Sequence, residues 1–166
     1  MMTYIGIDPG LSGAVAAIWP DGVVQVWDTP VVTVRRGQRD YLTADMAMIL
    51  RNVQGNSESV MAIIERGIPM PRQSSNTTYA TGRGGGLWEG ILAGLGIGYE
   101  LVAPRDWKRR LGLPPGADKS ASRVLAQRLF PQSAGLFSRV RDDGRAEAVL
   151  MAEYLRRQYG VGGRAE

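Results

Sequence analysis

Neither cysteine nor histidine occurs anywhere in the 166 residues. Without cysteine there is no disulfide framework and no thiolate zinc site, and a reducing compartment is the natural setting. Without histidine, Ser-His and Cys-His nucleophile schemes and imidazole-bound metals are excluded as well. Acid–base or metal chemistry must therefore come from carboxylates, lysines or tyrosines. No apolar run reaches the roughly 18–20 residues of a membrane span. The opening MMTYIGIDPG lacks the charged start and cleavage site of a signal peptide. A soluble, cytoplasmic protein with no membrane partner is expected.

What is present fits one folded domain. Hydrophobic residues make up 44% and charged residues 22%, ordinary globular usage. The expected domain spans 1–159, with 160–166 as a disordered tail. The net charge of +4 and an isoelectric point of about 9.8 favour an anionic partner.

Tyr4 to Ile7 is a short apolar run stopped by Asp8-Pro9-Gly10, a strand and a turn. Strands over Ala14–Trp19 and Val23–Trp27 flank the tight turn Pro20-Asp21-Gly22, so the chain opens as an antiparallel meander. Residues 30–42 read as polar and irregular. Thr43 can cap a helix running to about Val53. Val60–Ile64 is a continuous apolar run, as expected of a strand covered on both faces, and Glu65 ends it. A loop over Arg66–Thr77, a glycine-rich helix over Thr78–Gly94 and a strand over Tyr99–Val102 follow. Helices are expected over Pro104–Leu111, Lys119–Leu129 and Asp143–Gln158. The order βββαβαβ followed by helices is an α/β fold, with a five-stranded sheet flanked by helices.

Three acidic sites fall at element ends. Asp8 closes the first strand, Glu65 closes the fourth, and Asp143 with Glu147 opens the last helix, four residues apart on one face. Adjacent strand ends in such sheets form the usual ligand crevice. Carboxylates crowded there repel one another unless a cation lies between them. Hard oxygen donors suit Mg²⁺ or Mn²⁺, and two such ions support phosphodiester hydrolysis. Each residue also has a plainer reading: an Asx turn for Asp8, a solvated strand end for Glu65, a cap for Asp143, a surface charge for Glu147. Their coincidence on three converging elements favours the metal site.

The stretches Gly6-Ile7-Asp8-Pro9-Gly10, Ile63-Ile64-Glu65 and Asp143-Gly144-Arg145-Ala146-Glu147-Ala148 resemble the RuvC-type Holliday-junction resolvases. Pro104-Arg105-Asp106-Trp107-Lys108 and Ala117-Asp118-Lys119-Ser120-Ala121-Ser122-Arg123 extend the likeness over roughly residues 3–156. The resemblance implies a ribonuclease-H-like fold with a mixed sheet. It further implies a homodimer that makes paired, symmetric nicks in four-way DNA junctions during recombination or phage DNA processing, in a bacterial or phage-infected cell. Asp8, Glu65, Asp143 and Glu147 fall on the family's acidic positions as catalytic and metal residues, with two Mg²⁺ or Mn²⁺ ions per site. Many members carry two aspartates three apart, or a histidine and an aspartate, in the last helix. Here the spacing is four and the second residue is Glu, which leaves open which of Asp142, Asp143 and Glu147 meets metal.

Lys108 and Lys119 match basic positions that the family uses near the scissile phosphate, and Arg123, Arg145 and Arg72 add further candidate DNA contacts. In the loop after Glu65, Met70 or Ile68 is the candidate wedge at an opened base step. Gly82, Gly84, Gly85, Gly86, Gly90 and Gly94 weaken a lone helix, so helix 78–94 is the expected two-fold dimer contact. Tight packing within one domain is the plainer alternative. Three rivals stand beside a resolvase. An actin-like ATPase needs two such domains and a longer chain, so no nucleotide cofactor is expected. A nuclease acting on RNA–DNA hybrids or other branched DNA, or a non-catalytic junction binder, are the others.

Overall fold

The computed structural model describes residues 1–67 and 74–160. Strands β1 (Met2–Asp8), β2 (Ala14–Ile18) and β3 (Val24–Asp28) form the expected meander. The β2–β3 turn closes through Gly22 at φ +86° and a bond from Val23 N–H to Asp21 Oδ1 of 3.0 Å. β6 (Ser59–Glu65) and β7 (Gly98–Val102) complete the sheet in the order β3-β2-β1-β6-β7. β1 and β2 run antiparallel, whereas β1–β6 and β6–β7 are parallel. The sheet is mixed, as expected.

Residues 30–42 are more regular than their composition indicates. β4 (Val31–Thr33) and β5 (Arg39–Tyr41) pair as a small antiparallel ribbon. A tight turn joins them, with Arg36 at φ 61° and Gly37 at φ 72°. Strands of three residues carry too little alternation to be read from sequence. Thr43 does not cap the next helix. α1 (Thr43–Gly55) starts at Thr43 itself, after Leu42, whose N–H is bonded to Pro30 O.

Two apolar layers sandwich the sheet. On one face Met46, Leu50 and Val53 of α1 join Trp88 and Leu92 of α2 (Ser75–Gly94) over Ile5, Ile7, Val15 and Ile64. On the other, α5 (Asp143–Tyr159) lies across β1 and β2, with α3 (Pro104–Arg110) and α4 (Lys119–Leu129) beside it. Alternate residues of β1 and β6 feed the two layers, the pattern of strands buried on both faces. Each fully buried aliphatic side chain contributes about 1.5–3 kcal/mol, so both layers matter to stability.

α5 approaches β1 unusually closely. A Cβ on Gly6 would stand 2.0 Å from Ala148 O and 2.6 Å from Ala152 N. Glycine, with Ala148 and Ala152 opposite, lets a helix backbone rest almost on a strand backbone. α2 begins three residues earlier than expected, because the Ser74 hydroxyl accepts the Thr77 N–H and supplies the N-cap. Between α4 and α5 the chain forms two 3₁₀ segments, Pro131–Phe137 and Val140–Asp142. Among the described residues no helix is long and apolar enough to cross a membrane. The expected disordered tail lies, beyond Gly160, outside the described residues.

Candidate active site

β1 and β6 are parallel neighbours with Ile7 opposite Ile64, so Asp8 and Glu65 emerge side by side at their carboxyl ends. The Gly10 N–H approaches Asp8 Oδ1 at 3.3 Å, so the Asx turn forms together with the acidic cluster rather than instead of it. The first turn of α5 is lowered onto the β1–β2 turn through Gly144. A Cβ there would meet Ser12 O at 2.6 Å and Asp8 Oδ2 at 3.1 Å. That contact brings Asp143 and Glu147 to the edge occupied by Asp8 and Glu65.

Electrostatics record the crowding. The Glu65 carboxyl is pushed up to about 7, first by burial and then by the charge of Glu147, with Asp8 adding to it. A hydrogen bond from Trp107 and the charge of Lys108 act in the opposite sense. Among the described residues, no three carboxylates stand as a ready chelating group. Two are held instead by cations. Lys108 Nζ donates to Glu147 Oε1 at 2.7 Å, and Arg123 Nε stands 2.8 Å from Asp143 Oδ1. The donor set nevertheless fits a hard divalent cation. It is all carboxylate oxygen, and Glu65 carries an electrostatic penalty that a bound cation would relieve.

Asp142 is separated from this group. Its buried carboxylate accepts the backbone N–H and the guanidinium of Arg139, each at 2.8 Å. Burial pushes its pKa up, but the Arg139 bonds outweigh it and hold the group below its ordinary value. Asp142 closes a turn, and Asp143 is paired with Arg123.

The basic candidates divide. Lys108 lies at the cluster, 5.0 Å from the centre of the Trp107 ring. Lys119 is the first residue of α4, after the N-cap Asp118. Arg145 is taken up by Asp28 of β3, with bonds of 2.6 and 2.7 Å, which ties α5 to the sheet margin. Met70, Ile68 and Arg72 lie outside the described residues. A cavity of 610 Å³ bounded by Pro104, Arg105, Lys108, Leu113, Ser122 and Glu147 opens beside the cluster. Another, of 760 Å³ near Trp19, Trp27 and Asn56, touches none of the four carboxylates.

Sequence reasoning missed two participants. Trp107, fully buried, donates its indole N–H to Glu65 Oε2 at 2.8 Å. Its signal was the tryptophan beside Lys108 in the quoted Pro104–Lys108 stretch. Tyr41 places its hydroxyl 3.1 Å from Pro9 O and 3.0 Å from Ala80 O, bracing the turn after Asp8 against α2. Burial, then the charge of Asp8, pushes its phenol up. No local pattern announces that contact across 32 residues.

No family model matches the chain. Among curated proteins it is similar to the chloroplastic Holliday junction resolvase MOC1 of Chlamydomonas reinhardtii, 27% identical over 150 residues that take in 79% of this chain. The matched region is 17% of that protein's length, so the chain spans about a sixth of the relative. Among solved structures it is similar to T. thermophilus RuvC in complex with a Holliday junction substrate. The TM-score is 0.60 at 16% identity, over 98% of both chains. A further structure of Thermus thermophilus RuvC superimposes with a TM-score of 0.57 at 15% identity, over 92% of both chains. The mixed sheet with its flanking helices is the ribonuclease-H-like fold of RuvC.

Proposed function

We propose that the chain is a metal-dependent endonuclease that resolves four-way DNA junctions by paired nicks. The observation that carries this reading is that Glu65 shares one sheet edge with Asp8 and Glu147, where burial and like charge hold its carboxyl near 7. Likeness to a junction resolvase and to RuvC supports the choice of substrate.

Asp8 and Glu65, fixed by adjacent parallel strands, would hold Mg²⁺ or Mn²⁺, with Asp143 and Glu147 completing a site for two ions. Bound there, the ions would supply activation of water and stabilisation of the departing 3′ oxygen. Lys108 and Arg123 neutralise Glu147 and Asp143 in the free protein. On substrate binding the same two cations would exchange carboxylate for phosphate, and Lys119, the first residue of α4, would add a third. Their phosphate contacts would dominate affinity and make it salt-dependent.

Paired nicking requires two sites, hence a homodimer. Gly84 answers to packing within the domain, since a Cβ there would strike Pro9 O at 2.2 Å and the Tyr41 hydroxyl at 2.4 Å. Gly82, Gly86, Gly90 and Gly94 are exposed, and a Cβ on each would meet nothing within 4 Å. The apolar side of α2 serves the domain's own core, with Trp88 and Leu92 buried and Leu87, Ile91 and Leu95 packed against it. The open glycine side is left for a second copy to approach closely.

The deciding experiment compares a four-way junction, a linear duplex and an RNA–DNA hybrid as substrates in Mg²⁺, Mn²⁺ and chelator. Symmetric paired nicks in the junction alone are expected. Preferential cleavage of the hybrid would overturn the assignment.

A further inference from the structure

We propose that Trp107 is a positioning residue that holds Glu65 in the rotamer needed to bind the divalent cation. This rests on the metal-dependent reading above and adds to it a residue that never touches ion or DNA. Three observations converge. The Trp107 side chain is fully buried in the layer beneath α5, so its ring has one packing position. Its Nε1–H donates to Glu65 Oε2 at 2.8 Å, close to the ideal for such a bond. The next residue of the same helix, Lys108, holds the second glutamate through Glu147 Oε1. A helix of seven residues thus takes hold of both glutamates, one with a neutral donor and the other with a charged one.

The difference between the two donors gives the inference its content. An ammonium competes with an incoming cation for its carboxylate, so the Lys108–Glu147 pair would weaken as the site loads. An indole N–H has one proton, no acceptor and no net charge. It can stay on Oε2 while the carboxylate's remaining lone pairs face the ion. Outer partners of this kind orient ligands and typically contribute about 10- to 100-fold in metal affinity. Because Trp107 is anchored in the core, it also offsets the rotamer freedom that Glu65 would otherwise lose on binding.

The test is Trp107→Phe, which keeps a buried ring and removes the N–H, read first by calorimetric titration with Mn²⁺ alone. Weakening of Mn²⁺ affinity by about 10-fold or more is expected. On a four-way junction kcat should fall while junction affinity in chelator stays at the wild-type value, a split that mere loss of packing would not produce. A folded variant whose Mn²⁺ affinity lies within about twofold of wild type overturns the proposal. If the variant does not fold, the ¹⁵N-indole resonances of the wild-type protein decide. The Trp107 signal should resist solvent exchange and shift as Mg²⁺ saturates the site, and a signal indifferent to Mg²⁺ overturns it. A wild type that binds no Mn²⁺ overturns the positioning role and the metal site together. A wild type that binds Mn²⁺ but leaves junctions intact overturns only the junction reading, and the Mn²⁺ comparison still decides the role of Trp107.

Discussion

Arg123 Nε lies 2.8 Å from Asp143 Oδ1, yet the two atoms, both sealed from solvent, are not aligned as a hydrogen bond. The pair is a charge contact with its directional component missing. Such a pair neutralises the carboxylate without saturating it. Arg123→Ala should therefore destabilise the metal-free protein by about 1–3 kcal/mol, the cost of a half-buried polar group without its partner. The same change should strengthen Mn²⁺ binding, since a competing cation is gone. Calorimetry in chelator and in Mn²⁺ checks both signs, and a loss of Mn²⁺ affinity would place Arg123 among the groups that build the site.

Asp8→Asn retains the oxygen that faces the Gly10 N–H and removes the charge. Cleavage of a four-way junction should drop to background, while junction binding in chelator persists. Gel-based cleavage and binding assays on one preparation separate the two. Near wild-type cleavage would mean that Asp8 serves only its turn.

The raised Glu65 pKa fixes the sign of a pH effect. Its folded value of about 7 exceeds the ordinary 4.5, with burial the leading cause. The stability it contributes is complete below about pH 4.5 and is lost as pH rises through about 7. In chelator, Tm should fall between about pH 5 and pH 8, and Glu65→Gln should flatten that fall. Asp28 is held below its ordinary range mainly by Arg145 and loses its contribution only at lower pH, so it does not mask the effect. Mn²⁺ should raise Tm more at the alkaline end. A slope that Glu65→Gln leaves unchanged would assign the fall to another group.

Gly6→Ala should be costly for a reason unrelated to glycine's flexibility. The added methyl would collide with the backbone of α5 at Ala148 and Ala152, forcing helix and strand apart. Overpacking of this kind costs about 1–3 kcal/mol, and it would also separate Asp8 from Asp143 and Glu147. Denaturant unfolding and Mn²⁺ titration should move together. If stability falls with metal affinity intact, the cluster tolerates that displacement.

Gly86→Leu probes the open side of α2. Within one chain nothing lies within 4 Å of the added Cβ, and helix propensity alone should stabilise the helix by up to about 1 kcal/mol. In a dimer packed on that side the same change should shift the protein toward monomer at micromolar concentration and uncouple the two nicks. Sedimentation of wild type and variant decides, and a wild type that stays monomeric with junction bound rejects the arrangement.

Much of this molecule is local and therefore legible in its sequence. The meander follows from apolar runs separated by Pro20-Asp21-Gly22, and the apolar stretch before Glu65 marks a strand covered on both sides. Asp8, Glu65, Asp143 and Glu147 stand out because each follows or opens an element, and element ends are set by short-range pattern. Contacts across the chain were decided only by packing. The ribbon of β4 and β5 and the bracing by Tyr41 depend on partners that no local pattern names. The division of the glycines has the same origin. Gly6, Gly84 and Gly144 face another backbone, whereas Gly86 and Gly90 face open space, and composition treats them alike. Likewise Asp142 and Asp143 are adjacent and chemically identical, and only the placement of Arg139 and Arg123 separates a buried turn acceptor from a carboxylate paired with α4. Trp107 meets Glu65 across 42 residues because α3 packs beneath α5. A sequence can name the donor and the acceptor, but the distance between them exists only once the layers have closed.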